Sequence, residues 1–384
     1  MKPSVSSDLV GIPIAVVVNS FLLGGAEREA LLLTSYLRND YQAKAVIFGF
    51  RPIGLLADLC QSQYIPYHIL PKPPITYTIA SWPGAALFAW YLRKSHIQIL
   101  LSFTTYPNLI SSLAWRWGGV KLCIWNQLDE GKGFKGRRIE KFAFRRASCF
   151  VANSPTGVTV LEKYGISPDK ISIIPNGIEL NKPQKNRGTW RKQFNLTEDI
   201  FIACMVATLS KYKDHETLLR AWRIVFDLAP SPSPHLLLVG RLSDSSSYLI
   251  NLSHDLGINS VVHFLGEEKD VAGILNAVDL GLYSSTSEGL PNAILEYMAA
   301  GLPLIATDLP GVRMAIGSTN SSNCLVPVGD AQLMAIRILE FLGNPKFRDF
   351  IAKENRKRIN AYFTPEIMTE KMVRLILENL PRET

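Results

Sequence analysis

Apolar runs of strand length alternate with longer amphipathic segments along the whole chain. Most runs are continuous rather than alternating with polar residues, which is typical of parallel strands that helices cover on both faces. In the first half, the predicted strands lie at 12–19, 43–50, 67–70, 97–103, 121–126, 149–154 and 171–176, and the predicted helices at 26–38, 85–94, 108–117, 137–146 and 155–164. This half is therefore predicted to form a doubly wound α/β sheet.

The polar, basic stretch 181–199 interrupts this rhythm, and the alternation resumes beyond it. In the second half, the predicted strands lie at 201–209, 235–240, 261–266, 280–285 and 302–308, and the predicted helices at 214–227, near 246–256, up to 277, at 291–300 and at 364–380. We expect an α/β chain of two Rossmann-like domains, residues 1–185 and 186–384, that face each other across a cleft. The pattern leaves open which domain the last helix packs on.

The bulk composition agrees with an ordered chain in a reducing compartment. A length of 384 residues exceeds what one hydrophobic core usually supports, and 47% of the residues are hydrophobic. The scattered cysteines have no paired spacing, so buried thiols are expected. The N-terminal apolar stretch of seven residues is too short for a signal core. No apolar run approaches the ~20 residues of a spanning helix, so we expect a cytoplasmic protein with membrane contact only at the surface.

The positive charge is concentrated in the first half of the chain. Residues 1–185 hold 21 Lys and Arg against 11 Asp and Glu, whereas residues 186–384 hold 20 against 22. The segment 132–148 alone contains seven cations and one glutamate. Nucleic acid is not expected as a partner, because no recognition motif accompanies these cations.

A helix at 137–146 would place Arg138, Lys141 and Arg145 on one face. Two interpretations are open: a solvated basic face, or peripheral contact of 132–146 with an anionic membrane or a lipid-phosphate-linked acceptor. Tryptophans of the same half would either support such contact or belong to the core; they are Trp82, Trp90, Trp115, Trp117 and Trp125.

The stretch "STSEGLPNAILEYMAAGLPLIATD" (285–308) carries Glu288 and Glu296 on either side of a predicted helix start. Pro291 suits the first turn of that helix, and Gly301 would end it. Glu288 then follows a parallel strand, beside backbone N–H groups that favour an anion such as a diphosphate. Carboxylates there would accept hydrogen bonds from sugar hydroxyls. The alternative is that Glu288 is a solvated loop residue and Glu296 a capping or surface group.

Five motifs along the chain together resemble one family, the retaining family-4 glycosyltransferases of the GT-B fold. The motifs are "GGAEREALLL" (24–33), "ANSPTGVTVLEKYGISPDKISIIPNGIEL" (152–180), "LSKYKDHETLLRAW" (209–222), "LGINSVVHFLGEEKDVAGILNAVDLGLYSS" (256–285) and the glutamate stretch itself. The resemblance implies a GT-B fold and a transferase that moves a sugar from a nucleotide diphosphate to an acceptor hydroxyl with retention of configuration.

The resemblance also implies roles for individual residues. Glu296 would hold the ribose hydroxyls, Glu288 a hydroxyl of the donor sugar, and Lys213 would neutralise the diphosphate leaving group. The backbone around four residues would contact the diphosphate or the sugar: Gly289, Leu290, Pro291 and Asn292. The loop at Gly24 and Gly25 would approach the donor phosphates. The turn at Glu267 and Glu268 would bind the base.

The chain departs from the family pattern at two places. Thr208 stands where many relatives have an arginine, so either Arg241 substitutes for it or Lys213 and the helix N-terminus suffice, the second being preferred. Asn126 or Gln127 stands where many relatives have a histidine; either side chain can bind sugar hydroxyls, but neither is a base. Beyond them, two acids would orient the acceptor or form a surface turn: Asp129 and Glu130.

No metal or cofactor is expected, because the chain has no Asp-x-Asp pair and its histidines have no ligand-like spacing. His215 would lie near the donor or serve as a satisfied structural residue. A dinucleotide oxidoreductase is disfavoured, because the first strand is not followed by Gly-x-Gly-x-x-Gly. A nucleotide-sugar epimerase on the same fold and a non-catalytic nucleotide-binding scaffold remain as alternatives. A UDP-sugar is preferred to GDP-mannose on prior grounds alone, and the acceptor is expected to be a polysaccharide or lipid-linked glycan.

Overall fold

The computed structural model describes residues 9–71, 82–128, 131, 134–243 and 245–381. These residues form two compact units. The first holds the described residues up to Gly177 and again from Thr364, and the second holds Ile178–Phe363. This division assigns residues 178–185 to the second unit and the last helix to the first.

The first unit is built on a parallel sheet. Its described strands are β1 (Pro13–Val18), β2 (Lys44–Phe50), β3 (Tyr67–Leu70), β4 (Ile99–Phe103), β5 (Leu122–Gln127), β6 (Cys149–Ala152) and β7 (Ile171–Ile173). They are arranged in the order β3-β2-β1-β4-β5-β6-β7. Successive residues of β1 point to opposite faces, so that Val16 joins one hydrophobic cluster and Val17 the other. Burial on both faces explains why the strands read as continuous apolar runs.

Helices cover both faces of this sheet. They are α1 (Gly25–Asn39), α2 (Leu55–Ser62), α3 (Trp82–Lys94), α4 (Thr105–Ala114), α5 (Arg138–Arg146), α6 (Pro155–Lys163) and, from the end of the chain, α16 (Pro365–Asn379). Met372 and Ile376 of α16 belong to the hydrophobic cluster that includes α1. Tyr36 of α1 donates a hydrogen bond of 2.9 Å to Glu366 of α16. The last helix therefore completes the first unit.

The second unit contains another parallel sheet. Its described strands are β8 (Ile202–Val206), β9 (His235–Val239), β10 (Val262–Gly266), β11 (Leu280–Tyr283), β12 (Leu304–Thr307) and β13 (Leu325–Val326), in the order β10-β9-β8-β11-β12-β13. Its helices are α7 (Arg187–Gln193), α8 (His215–Leu228), α9 (Ser246–Asp255), α10 (Val271–Ala277), α11 (Asn292–Ala300), α12 (Pro310–Ile316), α13 (Ser318–Cys324), α14 (Ala331–Gly343) and α15 (Pro345–Tyr362). Both units are thus doubly wound α/β sheets, as predicted.

The second half contains elements that the hydrophobic pattern did not reveal. Helix α7 lies inside the polar stretch 181–199. Two of its residues, Trp190 and Arg191, are buried, although the sequence around them is basic. Strand β13 has only two residues, which is too short for a pattern. Basic side chains usually mark exposed positions, so the burial of Arg191 is decided by its partners rather than by its type.

Each sheet changes winding direction once, between β1 and β4 in the first unit and between β8 and β11 in the second. Loops leaving the carboxyl ends of such strands run to opposite faces, and open α/β sheets bind their ligands at this position. The loops after β8 and β11 are therefore the first place to look for chemistry in the second unit.

Candidate active site

The loops that follow β8 and β11 are joined by hydrogen bonds at the switch point of the second sheet. Ser284 Oγ donates to the carbonyl of Lys213 at 3.1 Å. Ser285 Oγ and the Thr286 N–H both donate to the carbonyl of Tyr212, at 2.8 and 2.9 Å. The Ser-Ser-Thr sequence thus fixes one loop against the other through two short side chains and one backbone N–H.

Lys213, Tyr283 and Glu288 form a cluster between these loops. The Lys213 ammonium forms an ion pair with Glu288 Oε1 and donates to Tyr283 Oη at 2.7 Å. Tyr283 Oη donates to the same Glu288 oxygen at 2.9 Å. Ser285 Oγ also lies 2.9 Å from this oxygen, and its single proton serves either the carboxylate or the Tyr212 carbonyl. The cluster therefore holds a carboxylate and an ammonium in defined positions at the end of β11.

Tyr283 was not predicted as a site residue. Burial, reinforced by the charges of Glu288 and Glu296, raises the pKa of Tyr283 well above 10, so the phenol keeps its proton. Its only signal in the sequence is its position at the carboxyl end of a predicted strand.

The cluster is accessible from solvent. The Lys213 side chain is 25% exposed and that of Glu288 is 14% exposed, so a ligand can reach both groups without unfolding the loops.

Glu296 lies on α11 and is buried to 8% exposure. Its charge acts on Tyr283, as does that of Glu288, so the two predicted glutamates are brought to the same end of β11. Helix α11 begins at Asn292, and Pro291 is its N-cap rather than its first residue. Gly301, with φ of 71°, ends the helix as predicted.

The turn before α11 is held against α12. The carbonyl of Gly289 lies so close to Gly311 that a Cβ atom on Gly311 would collide with it. Leu290 is buried, and Pro291 provides no side-chain cap for the helix. The backbone from Gly289 to Asn292 therefore has a defined position at a helix N-terminus, where an anion is stabilised.

Arg241 and Glu267 occupy the neighbouring loops after β9 and β10, and both are exposed. The Leu209 N–H donates to the Arg241 carbonyl at 3.0 Å, and the Gly240 N–H to the Gly266 carbonyl at 2.7 Å, so these loops adjoin the one after β8. The Arg241 side chain has no hydrogen bond or ion pair among the described residues. Its replacement of the missing arginine, and base binding by Glu267, stay predictions.

Three of the predicted substrate-binding residues belong to the first unit. Gly24 is the N-cap of α1 in an extended conformation, and Gly25 is the first residue of that helix, in the loop after β1. Asn126 is buried at the end of β5, where its Nδ2 donates to the Ser102 carbonyl at 3.0 Å. Its amide N–H is therefore used within the sheet, which favours a structural role. Asp129 and Glu130 lie outside the described residues.

His215 is the first residue of α8 and directly follows Asp214, the N-cap. The ring is buried, and neither nitrogen has a hydrogen-bond partner in the part of the chain that the structure describes. Burial, with the nearby positive charge of Lys213, lowers its pKa to about 4, so the imidazole is neutral at pH 7. The expectation of a satisfied structural histidine does not agree with these orphaned nitrogens.

A basic and aromatic surface lies on the first unit. Trp82 contacts the rings of Trp117 at 5.1 Å and Phe142 at 5.8 Å, which joins α3, the end of α4 and α5. The exposed side chains of this α3–α5 surface are Leu87, Trp90, Trp117, Arg138, Lys141, Phe142 and Arg145. Trp115 and Trp125 are buried in the core instead. Residues 132 and 133 of the predicted basic segment lie outside the described residues.

Within the described ranges, no helix is both long and apolar enough to cross a membrane. The same part of the chain contains no group of three or more His, Cys, Asp or Glu side chains that could hold a metal ion.

Two family models match consecutive parts of the chain. "Glycosyltransferase Family 4" matches residues 23–182, and "Glycosyl transferases group 1" matches residues 186–358, which include every member of the cluster at β11.

The chain is also similar in sequence to curated proteins that are named as glycosyltransferases. The chain is 26% identical over 250 residues to UDP-Gal:alpha-D-GlcNAc-diphosphoundecaprenol alpha-1,3-galactosyltransferase of Escherichia coli, a match that covers 61% of each chain. It is 26% identical over 303 residues to the lipopolysaccharide core biosynthesis glycosyltransferase LpsE of Rhizobium meliloti, covering 74% of this chain and 84% of that protein. The match to the first relative thus spans less than two thirds of its length.

The fold is also that of a solved structure. Anabaena HepE, crystallised with UDP and glucose, superposes with a TM-score of 0.82 over 95% of this chain and 99% of its own, at 20% identity. Taken with the two family models and the paired glutamates, this fold leads to one conclusion: the chain belongs to the group 1 and family 4 glycosyltransferases, which have the GT-B fold.

Proposed function

We propose that this protein transfers a sugar from a nucleotide diphosphate to a hydroxyl group of a glycan or lipid-linked acceptor, with retention of the anomeric configuration. The observation that carries the proposal is the Lys213–Tyr283–Glu288 cluster, which lies with Glu296 at the switch point of the second sheet. This position offers both an anion site and carboxylates for hydroxyl groups.

The main contribution to catalysis is electrostatic. The diphosphate leaves with additional negative charge, and the Lys213 ammonium and the N-terminus of α11 stabilise that charge. No protein base is assigned, because a phosphate oxygen of the leaving group can accept the proton of the acceptor hydroxyl. Tyr283 is excluded as a base, because its raised pKa keeps the phenol protonated.

Donor binding changes the partner of Lys213. Without a donor, its ammonium is neutralised by Glu288. When the diphosphate binds, it competes for the ammonium, and Glu288 becomes available to a sugar hydroxyl while Tyr283 still donates to Oε1. The Tyr283 hydroxyl thus keeps the carboxylate in place during the exchange.

A UDP-sugar is the donor that we propose. The name of the Escherichia coli relative specifies UDP-Gal, and Anabaena HepE was crystallised with UDP and with UDP-glucose. These ligands belong to those proteins and support the same nucleotide class here.

The test is nucleotide release from UDP-glucose, UDP-galactose, UDP-N-acetylglucosamine and GDP-mannose with a diphosphate-linked lipid acceptor. We expect turnover with a UDP-sugar, an α-linked product by NMR, and a loss of about 10²–10³-fold in kcat in Glu288→Gln. Glu340→Gln, in a surface pair with Arg337, is the matched control and should keep wild-type activity. An altered free sugar nucleotide would indicate an epimerase. Nucleotide binding without turnover would indicate a scaffold.

We further propose that the acceptor is presented at an anionic membrane surface, at the inner face of the membrane. The relatives' names include a diphosphoundecaprenol substrate and lipopolysaccharide core biosynthesis. On the α3–α5 surface, exposed Trp90 and Trp117 supply interfacial aromatic groups, and Lys141 and Arg145 supply charge. Aromatic and basic side chains together are suited to an anionic interface.

Vesicle sedimentation tests this surface. Vesicles with phosphatidylglycerol should retain the protein, whereas phosphatidylcholine vesicles should not. Each cation near the surface contributes about 1 kcal/mol, so Lys141→Glu/Arg145→Glu should reduce binding by more than tenfold. Lys357→Glu, on the exposed side of α15, is the control. Equal binding to both lipids, or no loss in the double variant, would contradict the proposal while leaving sugar transfer untouched.

A further inference from the structure

His215 is a buried histidine near Lys213 that has no hydrogen-bond partner among the described residues. It is 1% exposed, and both Nδ1 and Nε2 are unpaired within that part of the chain. Buried polar groups in folded proteins are almost always hydrogen-bonded, because an orphaned donor or acceptor loses its hydrogen bond to water without compensation. An apolar side chain would avoid this cost. The histidine therefore calls for a partner that is not part of the polypeptide.

The surroundings of the ring favour an anionic partner. His215 is the first residue of α8, a helix of 14 residues whose N-terminus carries partial positive charge. Lys213, two residues earlier, is close enough for its charge to oppose protonation of the ring. The imidazole is consequently uncharged and has one N–H to donate, whichever tautomer is present.

We propose that His215 is a donor-binding residue whose ring N–H hydrogen-bonds to the diphosphate of the nucleotide sugar, beside Lys213. The proposal rests on the proposed function, because it takes the nucleotide diphosphate as the ligand. It assigns complementary roles to two neighbouring residues: Lys213 supplies charge, and His215 supplies a directed hydrogen bond from a rigid helix end.

A neutral donor is suited to this position. A second full cation beside Lys213 would repel it and would hold the nucleoside diphosphate product more tightly after transfer. A neutral N–H orients the bound diphosphate without repelling Lys213 and without holding the product more tightly. The buried environment of the ring thus preserves its donor function, because burial disfavours the charged form.

The experiment is UDP titration by calorimetry of the wild type, His215→Leu, His215→Asn and the surface control His254→Leu. Affinity is measured well below the unfolding temperature and per folded protein. We expect His215→Leu to bind UDP about tenfold more weakly, a loss of about 1.4 kcal/mol. His215→Asn keeps an N–H donor and should recover most of this loss, and His254→Leu should match the wild type.

Thermal unfolding without ligand separates the two roles of the ring. Because His215→Leu removes two unsatisfied polar atoms, its unfolding temperature should equal or exceed that of the wild type. Unchanged UDP affinity in His215→Leu, or equal loss in His215→Asn, would overturn the inference. If the wild type binds neither UDP nor GDP, the proposed function itself fails, which is a distinguishable result.

Discussion

Strand β11 has a charged cluster at each end, and the two clusters differ in how completely their polar atoms are satisfied. Asp279 precedes the strand and forms ion pairs of 2.8 Å with both Arg187 and Arg191. Its Oδ2 also accepts the Ile202 N–H at 2.9 Å. The Arg191 guanidinium is buried and donates to the carbonyls of Ala277, Thr197 and Ile200 as well.

The cluster after the strand is less complete. Lys213 and Glu288 are partly exposed, and within the described ranges their neighbour His215 has no hydrogen-bond partner. Both ends of β11 thus contain an ion pair with a residue distant in the sequence, Arg187 and Arg191 of α7 at one end and Lys213 at the other. The cluster around Asp279 satisfies its donors with protein groups, as a structural element must, whereas the cluster around Glu288 has polar groups that can accept a ligand.

Loss of the Asp279 carboxylate should give the largest effect. Asp279→Ala leaves the buried Arg191 without its counter-ion, so the free energy of unfolding should fall by about 3–5 kcal/mol in denaturant titrations. Activity per folded molecule should be retained. Asp227→Ala, which removes a surface partner of Arg223, is the control and should cost no more than about 1 kcal/mol. A stability change as small as that of the control would show that the Asp279 cluster is not structural.

Loss of the Lys213 ammonium should have the opposite effect: it should lower activity and leave stability nearly unchanged. We expect Lys213→Met to lower kcat/KM by about 10²–10³-fold, equivalent to about 2.7–4 kcal/mol of transition-state stabilisation. Its free energy of unfolding should change by less than about 1 kcal/mol, because the pair is partly exposed. Lys357→Met, in a surface pair with Glu354, controls for loss of a lysine. If Lys213→Met unfolds readily but retains activity, the two clusters have been assigned the wrong way round.

Two buried tyrosines sharpen the comparison. Tyr283→Phe removes a donor to Glu288, so kcat/KM should fall about 10- to 100-fold, since a hydrogen bond to a charged group contributes about 1.5–3 kcal/mol. Tyr297 Oη instead accepts the Val206 N–H at 2.6 Å and donates to the Leu282 carbonyl at 3.2 Å. Tyr297→Phe should therefore reduce stability by about 1–3 kcal/mol and leave kcat/KM unchanged. Similar kinetic losses in both variants would remove the distinction.

The smallest effect concerns a histidine pair at the amino ends of β9 and β10. His235 Nδ1 and His263 Nε2 are 2.9 Å apart, and burial, with the charge of His263, lowers the pKa of His235 to about 4. The unfolded chain, with a pKa near 6.5, binds more protons between these values. Stability is therefore complete above pH 6.5 and should fall as the pH drops towards 4.

His235→Gln tests this pH dependence. The unfolding temperature of the variant should decline less than that of the wild type between pH 6.5 and 4, and its pH–activity profile above pH 6.5 should be unchanged. An altered profile in that range would connect the amino ends of the strands to catalysis, contrary to the comparison.

Most of the regular structure follows from local patterns in the sequence. The predicted strands before β13 correspond to observed strands within a few residues, because continuous apolar runs have to be buried on both faces. Glu288, Glu296 and Lys213 were identified from motifs, and they do lie at one end of the second sheet. The tyrosine that connects them was not, because a tyrosine at a strand end has no distinguishing pattern.

The remaining features arise from contacts between distant parts of the chain. Lys213 and Tyr283 are 70 positions apart, and Tyr36 and Glu366 are 330 apart. No window of sequence contains both members of such a pair, so the sequence cannot show that Arg191 is buried or that α16 returns to the first unit.

For this protein, the sequence by itself determined the two α/β sheets, the family and the charged residues that meet at the carboxyl end of β11. Tertiary structure alone decided which polar groups are satisfied: among the residues that the structure describes, those around Asp279 have partners and the ring nitrogens of His215 do not. The physical reason is that hydrophobic periodicity is a local property, whereas hydrogen-bond satisfaction depends on every group that folding brings within about 3 Å.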